Sequence, residues 1–352
     1  MTLTTLPKWA IAGLAFPLLF LNTWLLYKLA ILLQPVTSIV ITASLIAFLL
    51  GYPINFLEKQ NLSRGWAILL VLLTALTTTI ILLVFLGPLV WQQLNDFAER
   101  LPRWIEEAKT QLLLLEANPL LQSLPLDLDQ LTVKGANKLS ASLNTATNQA
   151  IDVTLSTING TLNSLATVVL SILLVINGES LWNGILSWLP AGWQAEIRES
   201  LQPSFQGYFS GQATLAMILA IAQSAAFFLL NVPFGLLFGI VIGLVSIVPF
   251  GGTVAVLGVS GLLAVQNIWL GLKVLITAFV LGQINDNLIA PRLIGGLTGL
   301  NPAIIIVVLL LGAKFAGFLG LLLAVPTASF IKKIADDLRE PFIAQFVIAQ
   351  LG

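Results

Sequence analysis

The sequence predicts an all-α polytopic membrane protein with about eight transmembrane helices, one broken or re-entrant, plus a helical extramembrane insertion. Three observations predict it. Of 352 residues, 57% are hydrophobic and 9% charged, whereas a soluble domain carries about 25% charged residues and needs them to cover its surface. Apolar runs recur at the length that crosses a bilayer core, roughly 20 helical residues for about 30 Å. One stretch, 91–155, breaks that pattern with amphipathic and polar sequence.

The elements follow in order. Lys8 precedes an apolar run from Trp9 to Leu33, longer than a signal-peptide core and without a small-x-small cleavage site. It reads as the first transmembrane helix. Spans fall near 12–33, 36–57, 66–90, 160–177 and 211–230, with Gln34-Pro35 making a tight break after the first. Lys28 sits near the end of its span, where its stem can carry the ammonium to the interface.

Residues 91–116 place Trp91, Leu94, Phe97, Leu101, Trp104, Ile105, Ala108 and Leu112 at intervals of three and four. That periodicity predicts an amphipathic helix, with Pro102 as a point of kinking or splitting. A connector and a weaker Asn/Thr/Ser-rich helix complete the insertion, which reads as a packing or lid element without chemistry of its own. Trp182, Trp188 and Trp193 lie near Pro190, and indoles favour the headgroup zone.

The stretch 232–266 is too long for one untilted crossing, about 50 Å at 1.5 Å per residue. Split at Pro249-Phe250-Gly251-Gly252, each half is too short to cross. It is therefore either one broken helix or a re-entrant hairpin; counted as one crossing, it brings the total to eight. Two more spans are expected near 269–290 and 302–330. The resulting division is 1–90 for the first three helices, 91–158 for the insertion, 159–332 for the remaining helices and 333–352 for a tail. Lys8, Lys59, Arg64, Lys332, Lys333 and Arg339 mark the cytoplasmic side, so both termini are expected there.

Composition also narrows the chemistry. Cysteine and histidine are both absent, which removes thiol nucleophiles, His-ligated metals and Ser-His-Asp catalysis. No phosphate-binding Gly-x-x-x-x-Gly-Lys-Ser/Thr loop is present. An enzyme is not expected, nor a cofactor, a metal or ATP hydrolysis. Net charge is zero, which gives no reason to expect a nucleic-acid partner; the expected partners are lipid and a small polar solute.

Between Glu199 and Lys332 the only charged residues are Lys273, Asp286, Arg292 and Lys314. At depth each costs roughly 2.5–3.5 kcal/mol on insertion scales, so four approach about 10 kcal/mol unless paired, snorkelled or hydrated. On an α-helix Gln283, Asp286, Asn287 and Ala290 share one face. One reading makes Asp286 a structural ion pair with Arg292 or Lys314. The other makes Gln283, Asp286 and Asn287 the wall of a polar cavity that contacts solute or a coupling cation. The two are compatible. Amides clustered beside the acid favour the second, because a plain bridge would not need them.

Gly235, Gly239 and Gly243 repeat at four-residue spacing, which permits close helix contact. The Pro249…Gly251-Gly252 break and the Pro291…Gly295-Gly296 break interrupt two apolar segments. Interrupted segments of this kind point to binding sites in transporters.

These residues resemble the autoinducer-2 exporter family of bacterial membrane proteins. The resemblance rests on Pro249 to Gly252, on Gln283, Asp286, Asn287, Pro291 and Gly295, and on Asn301-Pro302 with the glycine-rich run to Pro326. It covers nearly the whole chain. Asp286 stands where the family has Glu, Leu288 where a second Asn is common, and Thr253 where Pro is frequent. The resemblance implies a homo-oligomeric, pentameric transporter of the bacterial inner membrane without ATP hydrolysis. Members are described as exporting autoinducer-2, and some as cation/proton antiporters. The expectation is a gradient-driven or facilitative exporter of a small polar solute. The alternatives are a monovalent-cation/proton antiporter and a non-transporting scaffold.

Overall fold

A computed structural model describes residues 8–116, 157–293 and 299–351. Ten helices are labelled in chain order: α1 Lys8–Leu32, α2 Val36–Lys59, α3 Arg64–Glu116, α4 Thr157–Leu186, α5 Ala191–Leu229, α6 Gly235–Val245, α7 Gly251–Gln266, α8 Ile268–Ile284, α9 Ala290–Leu293 and α10 Pro302–Leu351. A π-helical turn, Asn285–Ile289, joins α8 to α9. Among the described residues there is no strand. Six helical stretches are long and apolar enough to cross a bilayer. Their outward faces carry exposed Leu82, Phe85, Phe228 and Leu310, which suits hydrocarbon as the surrounding medium. The protein is an all-α integral membrane protein.

α3 runs unbroken for 53 residues through Pro88 and Pro102, about 80 Å at 1.5 Å per residue. The expected split at Pro102 does not occur. Its far half extends well past a bilayer's thickness and packs Leu101 and Trp104 inward. Residues 117–156, the rest of the expected insertion, lie outside the described residues.

The segment 232–266 is a hairpin. Cβ atoms placed at Gly235, Gly239 and Gly243 would meet Phe227, Ser224 and Ala220 in turn, so α5 and α6 run antiparallel in close contact. α7 and α8 run antiparallel too, Gly271 against Ala264, about Asn267. The Asn267 side chain caps α8 by accepting from the Trp269 and Leu270 amides at 2.9 and 3.3 Å. Gln223 Nε2 donates to the Ala278 carbonyl at 3.1 Å, fixing α5 level with α8. One core then holds Phe234, Leu237, Phe238 and Ile242 of the first leg with Val256, Val259 and Leu263 of the second. Legs of 11 and 16 residues reach only about 16 and 24 Å. The segment folds back, which corrects the count of it as a single crossing. Its two halves are short because the turn at 246–250 ends the first and reverses the chain into the second.

The expected span 302–330 also reverses. α10 leaves helical geometry at Ala316 and Gly317, where Gly317 has φ +55°, a conformation glycine adopts without steric cost. Gly312 and Gly320 then meet backbone to backbone. Lys332 reaches the Gly299 carbonyl at 2.6 Å, and Leu309 shares a core with Val325. Hydropathy counts apolar residues without sensing direction, so one hairpin of this composition reads as a span. The eight membrane segments therefore remain, with two of them hairpins.

Candidate functional site

The π-turn interrupts α8 where the sequence turns polar. In a π-turn each N–H reaches back five residues, which widens the helix and commonly marks functional positions. Gln283, Asp286 and Asn287 are exposed on this chain, whereas Asn285 is buried. Asn287 Nδ2 donates to the Gln283 carbonyl at 3.1 Å and to its Oε1 at 2.6 Å. Asn285 Nδ2 donates to Asp286 Oδ1 at 3.1 Å. The two hydrogen-bonded pairs therefore engage all four polar side chains between Gln283 and Asn287.

Asp286 makes no ion pair with Arg292 or Lys314 among the described residues. Both bases are exposed, Lys314 two residues before the reversal at Ala316. The Asp286 carboxylate instead takes an amide donor from its neighbour.

The second predicted break lies at the tip of the α6–α7 hairpin. Pro249 is in the turn, and Gly251 and Gly252 open α7. A Cβ at Gly251 would strike the Val245 carbonyl, so only glycine allows the tip this tight a reversal. Gln212 of α5 donates to the Ser246 carbonyl at 2.7 Å, which satisfies one of the carbonyls freed at the end of α6. Val248 packs on the core of Tyr208, Phe209, Leu309 and Val325. The tip of the first hairpin and the body of the second therefore share one wall, α5.

Helix α5 also contacts the π-turn and α9, so it touches both predicted breaks. Pro291 lies in α9, and Gly295 lies outside the described residues. Sequence reasoning missed Asn285, Gln212 and Gln223. On an α-helical wheel Asn285 falls off the 283–286–287 face, and Gln212 and Gln223 are single amides in an apolar run. An eleven-residue spacing, which returns to the same helix face, was the available signal.

The chemistry on offer is that of neutral donors and acceptors beside one carboxylate. No group of three or more His, Cys, Asp or Glu capable of holding a metal is found among the described residues.

Residues 14–340 match the family described as AI-2E family transporter. Two putative transport proteins of Synechocystis sp. are similar along nearly their whole length. One is 36% identical over 342 residues, 96% of this chain and 87% of that protein. The other is 34% identical over 345 residues, 94% of this chain and 96% of its own length. The AI-2 transport protein TqsA of Escherichia coli is 22% identical over 297 residues, 83% of each chain. Apolar helices of crossing length, this match to residues 14–340 and the similarity to relatives along nearly the whole chain lead to one conclusion: the chain belongs to the AI-2E transporter family.

Proposed function

We propose that this transporter exports a small polar solute of the autoinducer-2 type across the bacterial inner membrane, by a gradient or passively and without ATP hydrolysis. The observation that carries the reading is the polar π-turn, Gln283 to Asn287, set against the same helix α5 that holds the Pro249–Gly252 hairpin tip. A helix interrupted at depth exposes backbone groups and polar side chains that lipid cannot satisfy, and transporters use such breaks to hold solute.

On this reading α1, α2, α3, α4, α5 and α8 cross, and the two hairpins return to the face they enter, which would leave both termini on one side. The positions of Lys8, Lys59, Arg64, Lys332, Lys333 and Arg339 favour the cytoplasm for that side. Because Gln283, Asp286 and Asn287 face outward from a single chain, copies of the chain in a homo-oligomer, a pentamer by family resemblance, would complete the surroundings of the site.

The test is solute flux in proteoliposomes, with autoinducer-2 as the first solute. Asp286→Asn and Asn287→Ala should each reduce flux by roughly tenfold or more, the loss of about 1.4 kcal/mol of binding or barrier free energy. Unchanged flux in both variants would sink the reading. A second reading, monovalent-cation/proton antiport, is favoured by one observation: Asp286 has no basic partner among the described residues and so is free to exchange a proton for a cation. Asp286→Asn should then abolish a cation-driven pH change in the vesicle lumen, and a retained pH change removes it.

A further inference from the structure

A stripe of amides lines the seam between α5 and α8, distinct from the outward face at 283–287. Gln212, Ala216, Leu219 and Gln223 recur at seven- and eleven-residue intervals, which places them on one side of α5. Gln223 is fully buried and its Nε2 binds the Ala278 carbonyl, which puts this side toward α8. Asn285 lies seven residues beyond Ala278, two helical turns along the same side of α8, and is buried as well. At the other end Gln212 meets the Ser246 carbonyl of the hairpin tip.

Two acceptors in this seam are left over. Gln223 Oε1 and Asn285 Oδ1 are shut off from the surface, and neither accepts a hydrogen bond from a described protein group. Buried amide oxygens are rarely left unbonded, because nothing then repays their lost hydration. Both orphans are acceptors, and each belongs to a side chain whose amide nitrogen already donates to the protein. The seam thus presents oxygen atoms to something that brings its own hydrogens. Apart from the Asp286 carboxylate that Asn285 binds, the residues named along it carry no charge.

We propose that the α5–α8 seam is a binding track for neutral hydroxyl-bearing molecules, with Gln223 and Asn285 as its acceptors. Water and solute hydroxyls share that chemistry, and the experiment separates them. The proposal rests on the transport reading above and extends it: solute would pass along the seam, between α5 and α8, and not only over the exposed face of Asp286.

The chain contains no cysteine, so single thiols can be introduced without background. Gln223→Cys, Asn285→Cys and Ala216→Cys would be exposed, in native membrane vesicles of the full chain, to a small water-soluble methanethiosulfonate. Leu263→Cys, fully buried in the apolar core, is the dry reference. Seam thiols should react roughly tenfold faster than the reference, since close-packed apolar interiors exclude such reagents. Ala216→Cys adds one sulfur atom and removes no amide, so its result holds even if loss of Gln223 or Asn285 disturbs folding. Equal, slow reaction at all seam positions overturns the proposal. Labelling needs no flux, so it can succeed where the Asp286 test fails, and the reverse.

Osmotic swelling of proteoliposomes then identifies the donor. Faster water influx that falls in Gln223→Leu, with erythritol influx unaffected, marks water. Erythritol influx that falls in Gln223→Leu marks solute hydroxyls. Influx of both unchanged by Gln223→Leu, in protein that remains monodisperse, also overturns the proposal.

Discussion

Lys332 donates from Nζ to the backbone carbonyl of Gly299 at 2.6 Å, joining two residues 33 positions apart that a straight helix would hold about 50 Å from each other. The bond ties the foot of one leg of α10 to the approach of the other and shows that the C-terminal segment turns back on itself. Cysteines at Leu309 and Val325, which share one core, should form a disulfide under mild oxidation. A pair at Leu309 and Ile331 should not. Gel mobility after protease cleavage between the legs reports the outcome, and failure of the first pair would contradict the reversal.

Gly239 packs so closely on Ser224 that a side chain has no room. Gly239→Val should lower the midpoint of thermal unfolding in detergent, with a cost of roughly 1–3 kcal/mol for overpacking a tight contact. Gly258, with open space around it, is the control: Gly258→Ala should be neutral or slightly stabilising.

The extension of α3 beyond the membrane clamps the mouth of the first hairpin. Gln93 Oε1 accepts from the Leu237 amide at 2.9 Å, capping α6 from another helix. Phe97 makes edge contacts with Trp104, Phe234 and Phe238 at 5.6 to 5.9 Å. Phe97→Ala should cost about 2 kcal/mol, below a fully buried Phe because the ring is only partly buried. Gln93→Ala should cost about 1 kcal/mol, the usual worth of a cap. Unfolding midpoints of the two variants against wild type test the order.

Arg64 and Glu179 form an ion pair at 2.6 Å with both side chains largely exposed. Removing it should matter little. Arg64→Ala is expected to change stability by less than about 1 kcal/mol, and the change should shrink further at high salt.

Much of the architecture was legible because bilayer thickness imposes a length that hydropathy can count. The Gln34-Pro35 break, the long apolar runs and the amphipathic start of the insertion all rest on local pattern. What pattern could not supply was direction. Residues 302–330 contain enough apolar length for a span, and only the Ala316–Gly317 dihedrals and the Gly312–Gly320 contact reveal a reversal. For the site, the 283–287 cluster announced itself by polarity. Asn285 was hidden because an α-helical wheel assigns it to the wrong side of a π-turn, and Gln212 and Gln223 because a lone amide carries no signal until its neighbour across the seam is known.

The two hairpins bear on how voltage is felt. Val248 at the first tip lies in the same core as Leu309 and Val325 of the second, so apolar side chains of both hairpins meet against α5. Membrane voltage drops across apolar material, and a unit charge carried the whole way across it gains or loses about 2.3 kcal/mol per 100 mV. A cell's energised state would therefore bias any charged passenger here, and leave a neutral one untouched.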